Sequence, residues 1–120
     1  MIETASEKAR RSRLKRLYGI TPEEYDIILE HQGGVCYICE KPPKTLRLAV
    51  DHDHTTGLTR GLLCWSCNSG LSSFRDIARR LYRAWKYLTH PPATAALGGE
   101  RYGRTGRTTT RVKRKKRRTK

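Results

Sequence analysis

Residues 36–68 read CYICEKPPKTLRLAVDHDHTTGLTRGLLCWSCN, two Cys-x-x-Cys pairs bracketing the cluster Asp51, His52, Asp53 and His54. Each pair can grip one edge of a tetrahedron, so Cys36, Cys39, Cys64 and Cys67 together suit a closed structural zinc site. Disulfides or a redox pair would use the same spacing, but a reducing compartment favours the metal. The bracketed acids and imidazoles suit a second, catalytic ion. Hard carboxylate and amide oxygens hold Mg2+, and a neutral imidazole takes a proton from water near pH 7.

Inside the bracket, Leu46, Leu48 and Val50 alternate with Arg47 and Ala49, which is the period of a strand. Residues 55–57, Thr-Thr-Gly, supply a turn, and residues 58–63 return as a second strand. The 24 residues between Cys39 and Cys64 exceed what a zinc ribbon needs, and the extra length houses this hairpin. In a regular strand His52 and His54 share one face while Asp51 and Asp53 share the other. Using Asp51 and His52 in one site therefore requires irregular backbone near residues 51–54. Asn68 follows the last cysteine at the entrance to a helix.

On the N-terminal side, residues 4–17 are rich in Ala, Lys and Arg and stop at Gly19, predicting a basic helix that is either simply solvated or in contact with DNA. Thr21-Pro22-Glu23-Glu24 carries a cap, a proline at the first helical position and a glutamate three residues past the cap, so a second helix should reach about His31 before Gly33-Gly34. His31 is expected to complement that helix's C-terminal dipole rather than to ligate. On the C-terminal side, Ser73 to Asp76 reads as another capping box. From Phe74 the residues Ile77, Ala78, Leu81, Trp85 and Leu88 recur at helical spacing until Pro91-Pro92. That stripe suits either a core or a homodimer seam. Residues 93–110 lack periodicity and read as linker, and residues 111–120 form a like-charge block expected to be disordered alone. Three segments result: a basic N-terminal helix over 1–19, a zinc-bound domain with its amphipathic helix over 20–90, and a flexible, basic, DNA-binding tail over 91–120.

The net charge of +15 comes from 26 Lys and Arg against 11 Asp and Glu. Residues 101–120 carry 11 of those cations and no acid, leaving only +4 before them. Such a chain associates with polyanions, and nucleic acid is the expected partner. A membrane is disfavoured, because no apolar run approaches bilayer length and the cations are not set against a Trp or Leu face. The opening MIETASEKARRSRLKRL is charged where a signal peptide is apolar, so a cytoplasmic location with reduced thiols is expected. With 36% apolar residues and one Phe, the core is small and a metal staple would help to hold it.

The run from about Leu14 to Leu71, carrying the first CxxC, LAVDHDHTTG and RGLLCxxCN in order, resembles the recombination endonuclease VII group of the HNH (His-Me finger, ββα-metal) nucleases over about half of the chain. The resemblance implies an α+β fold: a small zinc-stapled ββα-metal domain with flanking helices and a disordered basic tail. It implies a structural zinc, a catalytic Mg2+ or Mn2+, and hydrolysis of phosphodiester bonds in DNA, often at branches. Many relatives are phage-encoded, which implies a phage-infected bacterial host and recombination or packaging proteins as partners. Hydrolysis needs a base for water and neutralisation of charge on the phosphate and the leaving oxygen. The family pattern and this need together assign His52 as general base and Asp51 and Asn68 as ligands of the catalytic ion. His54 becomes a phosphate contact or metal neighbour, and Asp53 a hydrogen-bond partner orienting an imidazole in preference to a direct ligand. Four thiolates leave zinc no open position, so the zinc should fold the site without doing chemistry. The alternative is a non-catalytic zinc-containing module that binds nucleic acid through its basic ends.

Overall fold

In the computed structural model, which describes residues 2–104, helices α1 (Ala5–Tyr18) and α2 (Pro22–His31) precede strands β1 (Ala49–His52) and β2 (Thr59–Leu63), followed by helices α3 (Trp65–Ser73), α4 (Ala78–Thr89) and α5 (Pro92–Leu97). The protein is thus a mixed helix-and-small-sheet fold. Local chemistry sets the first two boundaries. Thr4 and Thr21 each accept from the backbone N–H three residues on, while Glu7 and Glu24 reach back to the cap N–H, so both helices begin with complete capping boxes. Gly19 ends α1 in the left-handed region, where a side chain is strained.

The hairpin pairs Ala49 with Leu63, Val50 with Leu62 and Asp51 with Gly61, then skips to His52 with Thr59. Arg60 is the extra residue, so β2 carries a bulge opposite the junction of Asp51 and His52. The expected irregularity occurs at the expected pair, with the inserted residue in the returning strand. As a result Val50 and Asp51 are both buried although they are neighbours in sequence.

Leu14, Tyr25, Cys36, Leu48, Val50, Leu62 and Leu63 form the core, with Tyr18, Ile20, Ile28, Leu29 and Leu71 packed around it. The Tyr25 hydroxyl donates to the Leu48 carbonyl at 2.6 Å, which satisfies a polar group inside that apolar cluster. Gln32 extends the sheet sideways. Its amide donates to the Leu62 and Val35 carbonyls and accepts from the Leu62 N–H at 2.9 Å, as a third strand would. A Cβ at position 61 would lie 3.0 Å from the Gln32 Oε1, so Gly61 is what lets this amide approach.

Two expectations for the C-terminal side need correction. Ser73 caps no helix: it ends α3, its hydroxyl donates to the Ser69 carbonyl, and Arg75 and Asp76 take left-handed φ values of 59° and 58°. The helix expected from Phe74 therefore starts at Ala78, because this turn interrupts it. Part of the expected linker is helical instead. Pro92 occupies the first turn of α5 and Gly98 its left-handed cap, the usual asymmetry of a short helix. The chain divides into two compact units, the first ending at Ala78 and the second beginning at Arg79. In α4 no residue is fully buried, and Trp85 and Leu88 are largely exposed. The like-charge block 111–120 lies outside the described residues.

Candidate metal centre and active site

The four cysteine sulfurs lie within 4.8 Å of one another. Tetrahedral zinc with bonds of about 2.3 Å spaces its sulfurs about 3.8 Å apart. The Cys39 and Cys64 sulfurs, 3.9 Å apart, match that edge, so the residues fit a structural metal such as zinc. Two local devices aim them. In the first loop the Glu40 N–H donates to the Cys36 carbonyl and the Cys36 N–H to the Lys41 carbonyl, with Glu40 in the left-handed region to close the turn. In the second, Cys64 is the N-cap of α3 and its sulfur accepts from the Cys67 N–H at 3.4 Å, which suits a thiolate at a helix N-terminus. The sulfurs take up negative charge unevenly. On Cys36 burial works against the thiolate, but backbone donors at Cys39, Cys64 and Ile38 outweigh it and bring the pKa down to about 6. Burial and the sharing of protons with neighbouring sulfurs push Cys67 up to about 12. A bound dication would let all four ionise together.

Hairpin and helix carry the remaining candidates. At the end of β1 the His52 ring stacks on His54, with centroids 4.7 Å apart and planes within 7°, and meets the Tyr18 ring edge-on at 5.4 Å. Tyr18 is fixed there from the opposite strand, since the Thr59 hydroxyl donates to its carbonyl at 2.8 Å. Neither Tyr18 nor Thr59 figured as a site residue in the sequence, where Tyr18 is one apolar position among several on α1.

Asp51 lies elsewhere. Its side chain is 8% exposed, and Arg60 grips both oxygens, Nε to Oδ2 at 2.7 Å and Nη2 to Oδ1 at 3.1 Å. Asp51, partial burial acting the other way, and Asp76 together hold the Arg60 guanidinium firmly protonated. Asp76 reaches Arg60 Nη2 at 3.4 Å from its left-handed turn, where each non-glycine residue costs on the order of 1 kcal/mol. Asn68, half-buried, is fixed on the first turns of α3 by its N–H bond to the Cys64 carbonyl, and α3 packs against both strands.

Asp53 has a different role from the one expected. Its carboxylate accepts from the Thr55 and Thr56 N–H groups at 2.8 and 3.0 Å, closing the hairpin loop rather than orienting an imidazole. Those donors, Thr56 first and then Thr55, lower its pKa. Among the described residues the Asp-His run does not form a compact cluster of side chains; only the cysteines do. The two histidines group with Tyr18, and Asp51 groups with Arg60 and Asp76. For a divalent ion the donor types are suitable, since Asp51 offers a buried carboxylate, both of whose oxygens Arg60 holds, and Asn68 an amide oxygen.

Four cysteines placed to hold a metal, two in the loop before the hairpin and two at the start of the helix after it, mark a small α+β domain. Comparison of sequences gives its family: a profile of the recombination endonuclease VII family matches residues 11–90, and the chain belongs to that family. It is 51% identical over 89 residues to the Gene 59 protein of Mycobacterium phage D29 and 49% identical over 89 residues to the Gene 59 protein of Mycobacterium phage L5. Each alignment covers 72% of this chain and 54% of the relative, so the chain spans about half the length of the curated relatives it matches. No solved structure matches. Among the described residues, no helix is long and apolar enough to cross a membrane.

Proposed function

We propose that this chain is a phage DNA endonuclease of the ββα-metal (HNH, His-Me finger) type, hydrolysing phosphodiester bonds with a single Mg2+ or Mn2+. The observation that carries the reading is the hairpin-then-helix unit, stapled by four cysteines, in a member of an endonuclease family. His52 is the general base. Its ring stands at the strand end, half-buried, held by Tyr18 and His54, so a water on its free edge can lose a proton without the ring moving away. Asp51 and Asn68 would hold the ion from β1 and α3, and His54, exposed beside His52, would meet the phosphate. The ion would supply charge neutralisation at the phosphate and the leaving 3′ oxygen. Cleavage leaves 5′-phosphate and 3′-hydroxyl ends.

The cations of α1, α4 and the C-terminal region supply affinity for the phosphate backbone without reading sequence. The exposed stripe of α4, with Trp85 and Leu88, is the seam of a homodimer, which would set two sites at a fixed distance for branched DNA. Duplex cutting during recombination or packaging, in the cytoplasm of the infected host, fits the same machinery. Supercoiled plasmid incubated with the protein tests the reading. Nicking or linearisation with Mg2+ or Mn2+ that EDTA abolishes is expected. Retardation without cleavage under either metal would replace the reading with a zinc-containing nucleic-acid-binding module.

A further inference from the structure

Two charged residues outside the proposed catalytic set converge on Asp51. Arg60, the extra residue of the bulge, holds both Asp51 oxygens, and the same Nη2 that reaches Oδ1 at 3.1 Å lies 3.4 Å from the Asp76 Oδ2. One guanidinium is thus shared between a buried carboxylate and a second one on the turn after α3, whose side chain is 26% exposed. Asp76 arrives there only because Arg75 and Asp76 both adopt left-handed φ without being glycine. The C-capping bonds from the Arg75 N–H to Ser72 and the Asp76 N–H to Leu71 hold that turn, and strain of this kind concentrates at functional sites.

We propose that Arg60 and Asp76 are positioning residues that set the affinity of Asp51 for its divalent ion. The inference rests on the reading of Asp51 as an ion ligand. A guanidinium and a dication on one carboxylate repel each other, and in a site shielded from water that repulsion is weakly screened. Arg60 therefore keeps the Asp51 carboxylate oriented through two hydrogen bonds, at the cost of weaker ion binding. Asp76 draws part of the Arg60 charge away from Asp51 and so restores affinity. The pair of acids around one arginine makes the ion site weak and adjustable, the opposite of the closed cysteine site.

Binding of Mn2+ to the full zinc-loaded chain, followed by the loss of the free-Mn2+ electron paramagnetic resonance signal without DNA, tests this. Arg60→Gln should bind Mn2+ about tenfold more tightly than the parent, and Asp76→Asn several-fold more weakly, as expected for removing one unit charge close to the ion. Asp51→Asn should lose the site. Because Arg60→Gln leaves a buried carboxylate unpaired and can fail to fold, melting curves accompany each variant, and Asp76→Asn, which leaves the Arg60–Asp51 pair intact, decides if Arg60→Gln is unfolded. Loss of Mn2+ binding in Asp51→Asn with unchanged affinity in the other two would overturn the proposal and leave the ion assignment standing. Unchanged binding in Asp51→Asn would remove the ion assignment itself, and the proposal with it.

Discussion

Asp51, in β1, and Asp53, just past its end, stand two residues apart and do different work, which the surroundings of each carboxylate decide. Asp53 accepts two loop N–H groups and belongs to the turn. Substituting Asp53→Ala should accelerate amide exchange at Thr55 and Thr56 while leaving the sulfur cluster intact, and unchanged exchange there would contradict the role assigned to it. The order Asp53-His54-Thr55-Thr56-Gly57 carries this turn signature in the sequence itself, since Asp side chains commonly bond backbone two residues on. Arg60 carries no such signature: its reach to Asp51 depends on a bulge, and no residue type at positions 59–61 announces one except the small Gly61. His52 and His54 were legible as a pair, because strand geometry puts alternate residues on one face. Tyr18 was not legible as their neighbour, because the contact spans 34 positions and is made through tertiary packing.

Among elements, the end of α2 ties down the hairpin through its C-cap residue, Gln32. Removing its amide by Gln32→Ala leaves the Leu62 N–H and carbonyl without partners on that side, an expected loss of about 2 kcal/mol in urea unfolding. A change within error would mean that water replaces the amide freely. The pairing of α1 with α2 is more peripheral. Arg11 clamps Glu23 through two bonds of 3.0 Å, and this lowers the Glu23 pKa from 4.5 to about 2. The folded state therefore holds its proton less tightly than the unfolded chain. The contribution is complete above about pH 4.5 and disappears as pH falls toward 2. The difference in urea midpoint between the parent and Glu23→Gln should shrink across that window. Exposure keeps the effect small. Both helix starts were readable from their capping boxes, whereas the break at residues 74–77 was not. Ser73 and Asp76 have the right spacing for a cap, but the carboxylate finds Arg60 instead, and a tertiary ion pair outcompetes the local pattern.

For the molecule as a whole, a metal on the four cysteines would match the entire net stability of a domain. Structural zinc contributes about 10–16 kcal/mol in small metal-folded peptides, as much as or more than the about 5–15 kcal/mol that keeps a domain folded. Stripping the metal should therefore unfold the first unit, and unchanged helical circular dichroism after proven zinc loss would contradict the role given to the cysteines. The charge follows the same division of labour: residues 1–78 are nearly balanced, and most of the +15 lies beyond them. Truncation after residue 100 should flatten the salt dependence of DNA affinity without abolishing cleavage. The central claim, that His52 serves as the base of a nuclease, is tested most directly by cleavage and binding of one plasmid measured side by side for the parent and His52→Ala in Mg2+. A fall in rate of 10²-fold or more with unchanged affinity is predicted, the size expected for loss of general-base catalysis. Equal rates for the two proteins would contradict it.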